Sequence, residues 1–121
     1  MKILIVDDNK INVMIVRRYL EKWGYNFQIA GNGKEALEMI QAEKFDIILM
    51  DLNMPVMDGL EATYEIRKLP GCEFKQLPII GFTSSTEKIL EEKMYDAGFT
   101  DILQKPFLPE DLHEKIGSKK G

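Results

Sequence analysis

The stretch Ile47–Gly59 reads IILMDLNMPVMDG, and its reading decides the rest. Four apolar residues, Ile47 to Met50, run unbroken into an acid, Asp51. A short apolar run bounded by loop residues predicts a strand buried on both faces, as in a parallel sheet. Asp51 is then the first residue past the strand's carboxyl end, the edge where ligands bind in open α/β sheets. Asn53, Pro55, Asp58 and Gly59 make the following loop, with Pro55 excluding a continued strand. A lone acid at such a place is ordinarily a turn or cap residue. Asp51 is not alone.

Working outward, the same pattern recurs. Residues 2–7 give a first strand, with Ile3, Leu4, Ile5 and Val6 ending in Asp7-Asp8. Asn9 or Asn12 caps a helix running to about Trp23, whose Val13, Val16, Leu20 and Trp23 share one face before Gly24. Phe27 to Ala30 is a second strand, and Lys34 to Glu43 a helix burying Ala36, Leu37 and Ile40. Asp46 to Met50 is the third strand. Met57 or Asp58 opens a helix to about Lys68, and Pro70 to Gln76 reads as a loop. Ile79 to Phe82 is the fourth strand, after which Thr86 or Ser85 caps a helix ending at Gly98. Thr100 to Gln104 is the fifth strand, and Pro109 sits well at the start of a last helix, with Glu110 and Asp111 in its first turn. Ser118 to Gly121 reads as a frayed tail.

Five strands alternating with five helices give an α/β domain with a doubly wound parallel sheet. The expected strand order is 2-1-3-4-5, the flavodoxin-like arrangement, with its switch point between strands one and three. At 121 residues the chain is one domain with a single core. Its composition, 45% hydrophobic and 30% charged, is that of an ordinary soluble protein. The net charge of −4 argues against direct nucleic-acid binding. No apolar run approaches the ~18 residues of a membrane span, and Met1 does not open a signal peptide. Cys72 is a spare surface thiol that suits a reducing compartment, so a cytoplasmic location is expected.

In the expected order the carboxyl ends of strands one and three are neighbours, so Asp7, Asp8 and Asp51 meet. Thr83 follows the fourth strand and Lys105 the fifth. Two unit charges about 5 Å apart repel by roughly 3 kcal/mol at an effective dielectric near 20. Three carboxylates therefore call for a divalent cation, a raised pKa or a nearby cation. Oxygen ligands select magnesium or calcium over zinc, and a site leaving room for water and phosphate favours magnesium. His113, far along the last helix, reads as a solvated surface residue, and one His with one Cys makes no zinc or Ser–His–Asp site. Pro106 and Phe107 hold Lys105 where its amine can lean over the acids; either isomer of the Lys105–Pro106 bond is compatible with the sequence. Thr83 offers a hydroxyl beside Asp51, or else a helix cap. Acids, metal, Lys and hydroxyl together describe a site for a phosphoryl group on a carboxylate.

With these residues in place the chain resembles the receiver domain of two-component response regulators over nearly its whole length. The motifs are VDD at Val6–Asp8, NGKEAL at Asn32–Leu37, DLNMPVMDG at Asp51–Gly59, Thr83-Ser84 and KPF at Lys105–Phe107. VDDNKIN and MPVMDGLEAT most resemble receivers attached to hybrid sensor kinases, which favours a piece of a longer protein over a stand-alone receiver. The resemblance implies that Asp51 is the phosphoacceptor. It implies that Asp8, Asp51 and the Asn53 backbone carbonyl ligate magnesium, with Asp7 acting through water. Thr83 would bond a phosphoryl oxygen and Lys105 would pair with it. Phosphate would come from the phosphohistidine of a histidine kinase or histidine phosphotransfer domain, and Asn53 and Ser85 would tune its loss. Output, to an effector domain or a second receiver, would run through the fourth helix, fifth strand and fifth helix.

Two residues depart from the resemblance. Ile102 stands where an aromatic residue often swings inward, and Gly81 stands where Ala is commoner, loosening the fourth strand or merely tolerated there. The rivals to a phosphoryl-accepting signalling domain, which is not an enzyme in the turnover sense, are two. One is an Asp-nucleophile phosphatase or phosphotransferase, weakened by Asn53 where a second Asp would serve as general acid. The other is a receiver-like binding module that is never phosphorylated, weakened by the presence of Asp8, Asp51, Thr83 and Lys105.

Overall fold

Three aliphatic strands form the centre of the computed structural model, which describes residues 1–119. They are β1 (Lys2–Val6), β3 (Ile47–Asp51) and β4 (Ile79–Thr83); β2 (Asn26–Ala30) and β5 (Asp101–Gln104) lie at the edges. Every position of β3 and β4 is buried, as strands covered on both faces must be. Away from the ends of the central strands, the polar strand residues fall on the edges: Asn26 and Gln28 in β2, Asp101 and Gln104 in β5. All four pairings are parallel and the order is β2-β1-β3-β4-β5, the doubly wound, flavodoxin-like sheet expected.

The helices among the described residues are α1 (Lys10–Lys22), α2 (Gly33–Ala42), α3 (Gly59–Lys68), α4 (Cys72–Gln76), α5 (Lys88–Ala97) and α6 (Pro109–Gly117). The two-residue period of the strands divides their side chains between two layers. Leu4, Val6, Ile48, Met50 and Ile79 pack with Ala36 and Ile40 of α2, Ala62 and Ile66 of α3 and Met94 of α5. Ile3, Ile5, Ile47, Leu49, Ile80 and Phe82 pack with Val16 and Leu20 of α1 and Leu112 and Ile116 of α6. Asn9, Asn32 and Asp58 cap α1, α2 and α3, each side chain accepting from backbone N–H groups of the first turn.

Six helices rather than five are present because the segment read as a loop from Pro70 to Gln76 contains α4. Five residues between Gly71 and Leu77-Pro78 are too few to show a helical period in the sequence. Arg67 holds the segment from outside: its Nη1 donates to the Phe74 carbonyl at 2.7 Å. The same guanidinium donates to the Gly98 carbonyl through Nε at 3.0 Å and Nη2 at 2.7 Å. One cation thus serves carbonyls at the C-terminal ends of α4 and α5, where helix dipoles favour positive charge.

Three further expectations need correction. α5 begins at Lys88, with Glu87 rather than Ser85 or Thr86 at its cap position. Ser85 is used one step earlier, its Oγ accepting from the Glu87 N–H at 3.1 Å. Gly81 does not loosen β4: a Cβ there would lie 2.6 Å from Met94 Cε and from Phe99 Cε1, so these side chains already fill the space. Nor is the end of the chain frayed at Ser118 and Lys119. The Ser118 N–H donates to the Glu114 carbonyl, and Lys119 Nζ reaches Asp101 at 3.4 Å; residues 120 and 121 lie outside the described residues.

Candidate functional site

Strand register assembles the site. Val6 pairs with Met50, Asp51 with Phe82 and Thr83 with Gln104. Asp7, one residue past the end of β1, therefore sits beside Asp51, Thr83 one residue beyond the partner of Asp51, and Lys105 one residue beyond the partner of Thr83. Asp51 and Thr83 are the last residues of their strands rather than the first residues past them. Carrying the ladder one residue further buries both: Asp51 is 7% exposed and Thr83 6%.

One carboxylate oxygen from each of Asp7, Asp8 and Asp51 lies within 4.8 Å of the other two. Asp7 is buried and Asp8 exposed, so the cluster is closed on one side and open to solvent on the other. Burial pushes the Asp7 carboxyl above its usual value, and the nearby charge of Asp51 pushes the same way. A hydrogen bond from the Asn9 N–H, 2.9 Å from Asp7 Oδ1, opposes that shift, as does the charge of Lys105. Lys105 closes the other flank, its Nζ donating to Asp51 Oδ1 at 2.8 Å. The Lys105–Pro106 bond is cis. Thr83 Oγ1 accepts from the Ser85 N–H at 3.1 Å, which leaves the hydroxyl proton to donate elsewhere. Asn53 is exposed, two residues past Asp51.

Two glycines let the loop after β3 close on the site. A Cβ on Gly59 would stand 2.4 Å from the Asp51 carbonyl oxygen, and one on Gly33 would stand 2.7 Å from Ala62 Cβ. Between them the Gly59 N–H bonds the Leu52 carbonyl at 2.9 Å, and the Gly33 N–H bonds the Met57 carbonyl at 3.1 Å. Val56, a β-branched residue at φ 68°, sits strained and exposed at the tip of this loop. In the sequence Gly59 reads as a loop residue, and the Asp-Gly pair before an apolar helical period is the signal of its close approach.

All the residues expected at the site except Asn53 are thereby tied to it by distance or register. The donor set, three carboxylates with one face open, fits a hard divalent cation that keeps part of its water. Sequence reasoning missed the neighbourhood on the α1 side. There Asn12, Ile15 and Tyr19 share a cavity with Asp7, Lys105 and Phe107. Neither Ile15 nor Tyr19 carries a site signal in the sequence, and only the β5–α6 connection, distant in sequence, makes them a wall. His113 is exposed, but its ring stacks on Trp23 at 4.2 Å, a contact between residues ninety apart in the chain.

Residues 3–117 match the family described as the response regulator receiver domain. The hybrid signal transduction histidine kinase I of Dictyostelium discoideum is 37% identical over 98% of this chain, which spans 7% of that protein. The signal transduction histidine-protein kinase BarA of Shigella flexneri is 36% identical over 96% of the chain and 12% of its own length. The chain thus spans a tenth or less of the length of these hybrid histidine kinases of Dictyostelium discoideum. Among solved structures, chemotaxis protein CheY4 of Vibrio cholerae superposes with a TM-score of 0.88 at 35% identity, covering 97% of this chain and 96% of that one. The receiver domain of a Pseudomonas aeruginosa sensor histidine kinase gives a TM-score of 0.88 at 32% identity, covering 97% and 94%. That structure holds a magnesium ion in its active-site cleft.

Proposed function

Because the chain belongs to the response regulator receiver family, we propose that Asp51 is its phosphoacceptor and that residues 1–121 form one receiver unit. The chain is a receiver of two-component signalling, homologous to receivers of histidine kinases. The observation that carries the assignment of Asp51 is its position. It is a buried carboxylate at the carboxyl edge, flanked by two more acids and touched by Lys105 Nζ at 2.8 Å.

Asp7, Asp8, Asp51 and the Asn53 carbonyl are proposed to hold magnesium, which when bound supplies positive charge opposite the phosphoryl oxygens. An Asp51 oxygen bonds to phosphorus as the phosphorus–nitrogen bond of a phosphohistidine donor breaks and the imidazole nitrogen keeps the electron pair; Lys105 exchanges its bond to Asp51 for one to a phosphoryl oxygen, and the Thr83 hydroxyl donates to another. Asp51 sits on a strand locked on both sides, so the nucleophile is positioned before the donor arrives. The chemistry is limited to the protein's own phosphorylation and dephosphorylation.

The proposed donor is the phosphohistidine of a histidine kinase or phosphotransfer domain, and the proposed location is the cytoplasm. Among the described residues no helix is long and apolar enough to cross a membrane. Output is proposed to leave through α5, β5 and α6, where Ile89 and Tyr95 of α5 are exposed. A cavity of about 100 Å³ beside Thr83, lined by Leu90 and Ile102, gives the β4–α5 loop room to move as Thr83 is drawn to the phosphoryl group. The half-buried Ile102 already packs against the core, so the loop and the start of α5 are proposed to shift rather than Ile102.

Intact mass after incubation with acetyl phosphate and magnesium tests the reading. One labile phosphate on the wild type and none on Asp51→Asn is expected. Undiminished incorporation in the variant would overturn it, and donor turnover without a stable adduct would make the protein a phosphatase.

A further inference from the structure

A cavity of about 460 Å³ lies between α1 and the β5–α6 connection. Its wall is made by Ile15 and Tyr19 of α1, Phe82 of β4 and Phe107, the two phenylalanine rings stacked at 5.3 Å. Its other border is formed by Asp7 and Lys105. Lys105 is the residue whose Nζ lies 2.8 Å from Asp51 Oδ1, so an apolar, aromatic-lined space adjoins the acceptor carboxylate. Ile15 is 44% exposed and is one of three large apolar residues that α1 leaves in solvent, with Ile11 and Met14. Phe82 belongs to the core, and Tyr19 and Phe107 pack against it, but Ile15 on the outer side of the wall stays in solvent, and covering it would be favourable.

A phosphoryl donor brings two parts to such a site. The phosphoryl group is anionic and belongs with Lys105, Thr83 and the acid cluster. The leaving group lies away from Asp51 and must be accommodated close by. A small charged leaving group gains nothing from an apolar wall, whereas a flat apolar one gains by desolvation.

Resting on the assignment of Asp51 as acceptor, we propose that this cavity seats the leaving group of the phosphoryl donor and favours donors whose leaving group is a flat, apolar ring. With benzoyl phosphate the step balances without any further reactant. An Asp51 carboxylate oxygen forms a bond to phosphorus as the bond between phosphorus and the benzoate oxygen breaks. Benzoate then departs as the carboxylate anion, carrying the electron pair. Ile15, Tyr19 and Phe107 pack against the ring; they hold the leaving group and take no part in bond exchange.

The test compares phosphorylation rates with benzoyl phosphate and with acetyl phosphate, in excess magnesium, for the full chain and two variants. Ile15→Gln makes the wall polar while keeping a good helix former, and Ile15→Trp fills the cavity. Neither variant replaces the acceptor, an acid or Lys105, and Ile15→Gln adds no bulk at the Asp7 and Lys105 border of the cavity. Each variant is expected to lose about fivefold in rate with benzoyl phosphate and to change less than about 1.5-fold with acetyl phosphate. Equal losses with the two donors, or no loss with either, would overturn the proposal while leaving Asp51 as the acceptor. Failure of both donors to modify the wild type would remove the acceptor assignment and this inference with it.

Discussion

Asp8→Asn asks whether the three acids at the sheet edge behave as one charged cluster. One oxygen of each of Asp7, Asp8 and Asp51 lies within 4.8 Å of the others. At that separation two unit charges repel by about 3.5 kcal/mol at an effective dielectric of 20, and by about 0.9 kcal/mol in water. Asp8 is exposed, so the lower figure governs its interaction with each neighbour. Lys105 attracts Asp8 as well, and losing that attraction returns part of the gain. A net stabilisation of about 1 kcal/mol is expected for the metal-free variant, or about 3–5 °C in Tm for a chain of this length. The same change removes a ligand. A cation present at 100 times its Kd stabilises the folded state by about 2.7 kcal/mol, and most of that response should disappear. Asp7 reinforces the trend. Its raised folded-state pKa means that its contribution to stability is present below 3.8 and is lost as pH rises through the folded value. At neutral pH without metal the cluster is therefore a source of strain. Thermal melts of wild type and variant, in chelator and in magnesium, decide the matter. A variant that melts at or below wild type in chelator, yet responds fully to magnesium, would refute the reasoning.

Gly81→Ala places a methyl group 2.6 Å from Met94 Cε and Phe99 Cε1, and overpacking of this kind should lower stability by about 1–3 kcal/mol in urea unfolding. Burial raises the Asp101 pKa, but the bond from Lys115 Nζ, the Ile102 N–H and the charges of Lys115 and Lys119 outweigh it and hold the pKa low. A lowered folded-state pKa contributes stability above 3.8 that is lost as pH falls through the folded value. Wild type should therefore exceed Asp101→Asn in Tm near neutral pH, and the gap should close in strong acid. Ile102→Ala should cost less than the about 2–4 kcal/mol of a fully buried side chain, because Ile102 is only half-buried, and should leave phosphorylation intact. In amide exchange with a phosphoryl mimic, its Ser84–Ile89 segment should respond as in wild type; a response confined to residues 100–105 would contradict the loop-shift account.

The fold was legible because β1, β3 and β4 carry short apolar runs, Ile3–Val6, Ile47–Met50 and Ile79–Phe82, each followed directly by a polar residue. Once the order 2-1-3-4-5 is inferred, parallel register does the rest, and Asp7, Asp51, Thr83 and Lys105 must converge. What escaped the sequence depends on contacts between distant residues. Gly81 looked like a weak point because neither Met94 nor Phe99 can be seen filling its notch in a linear reading. Nothing in the sequence around Arg67 shows that it bonds carbonyls on α4 and after α5. α4 itself was hidden by brevity, and His113 by the ninety residues separating it from the indole on which it stacks. The end of β3 was read one residue early because an acid ordinarily ends a buried strand, whereas here Asp51 continues the ladder into the site.

The central claim is that phosphate resides on Asp51. Borohydride reduces an acyl phosphate to the alcohol, so a phosphorylated aspartate becomes homoserine and can be located by peptide mapping. After incubation with acetyl phosphate and magnesium, followed by borohydride, homoserine is predicted at position 51, with Asp7 and Asp8 unmodified. Homoserine at another position, or unmodified aspartate at all three after a phosphate adduct has been seen by intact mass, would contradict the account.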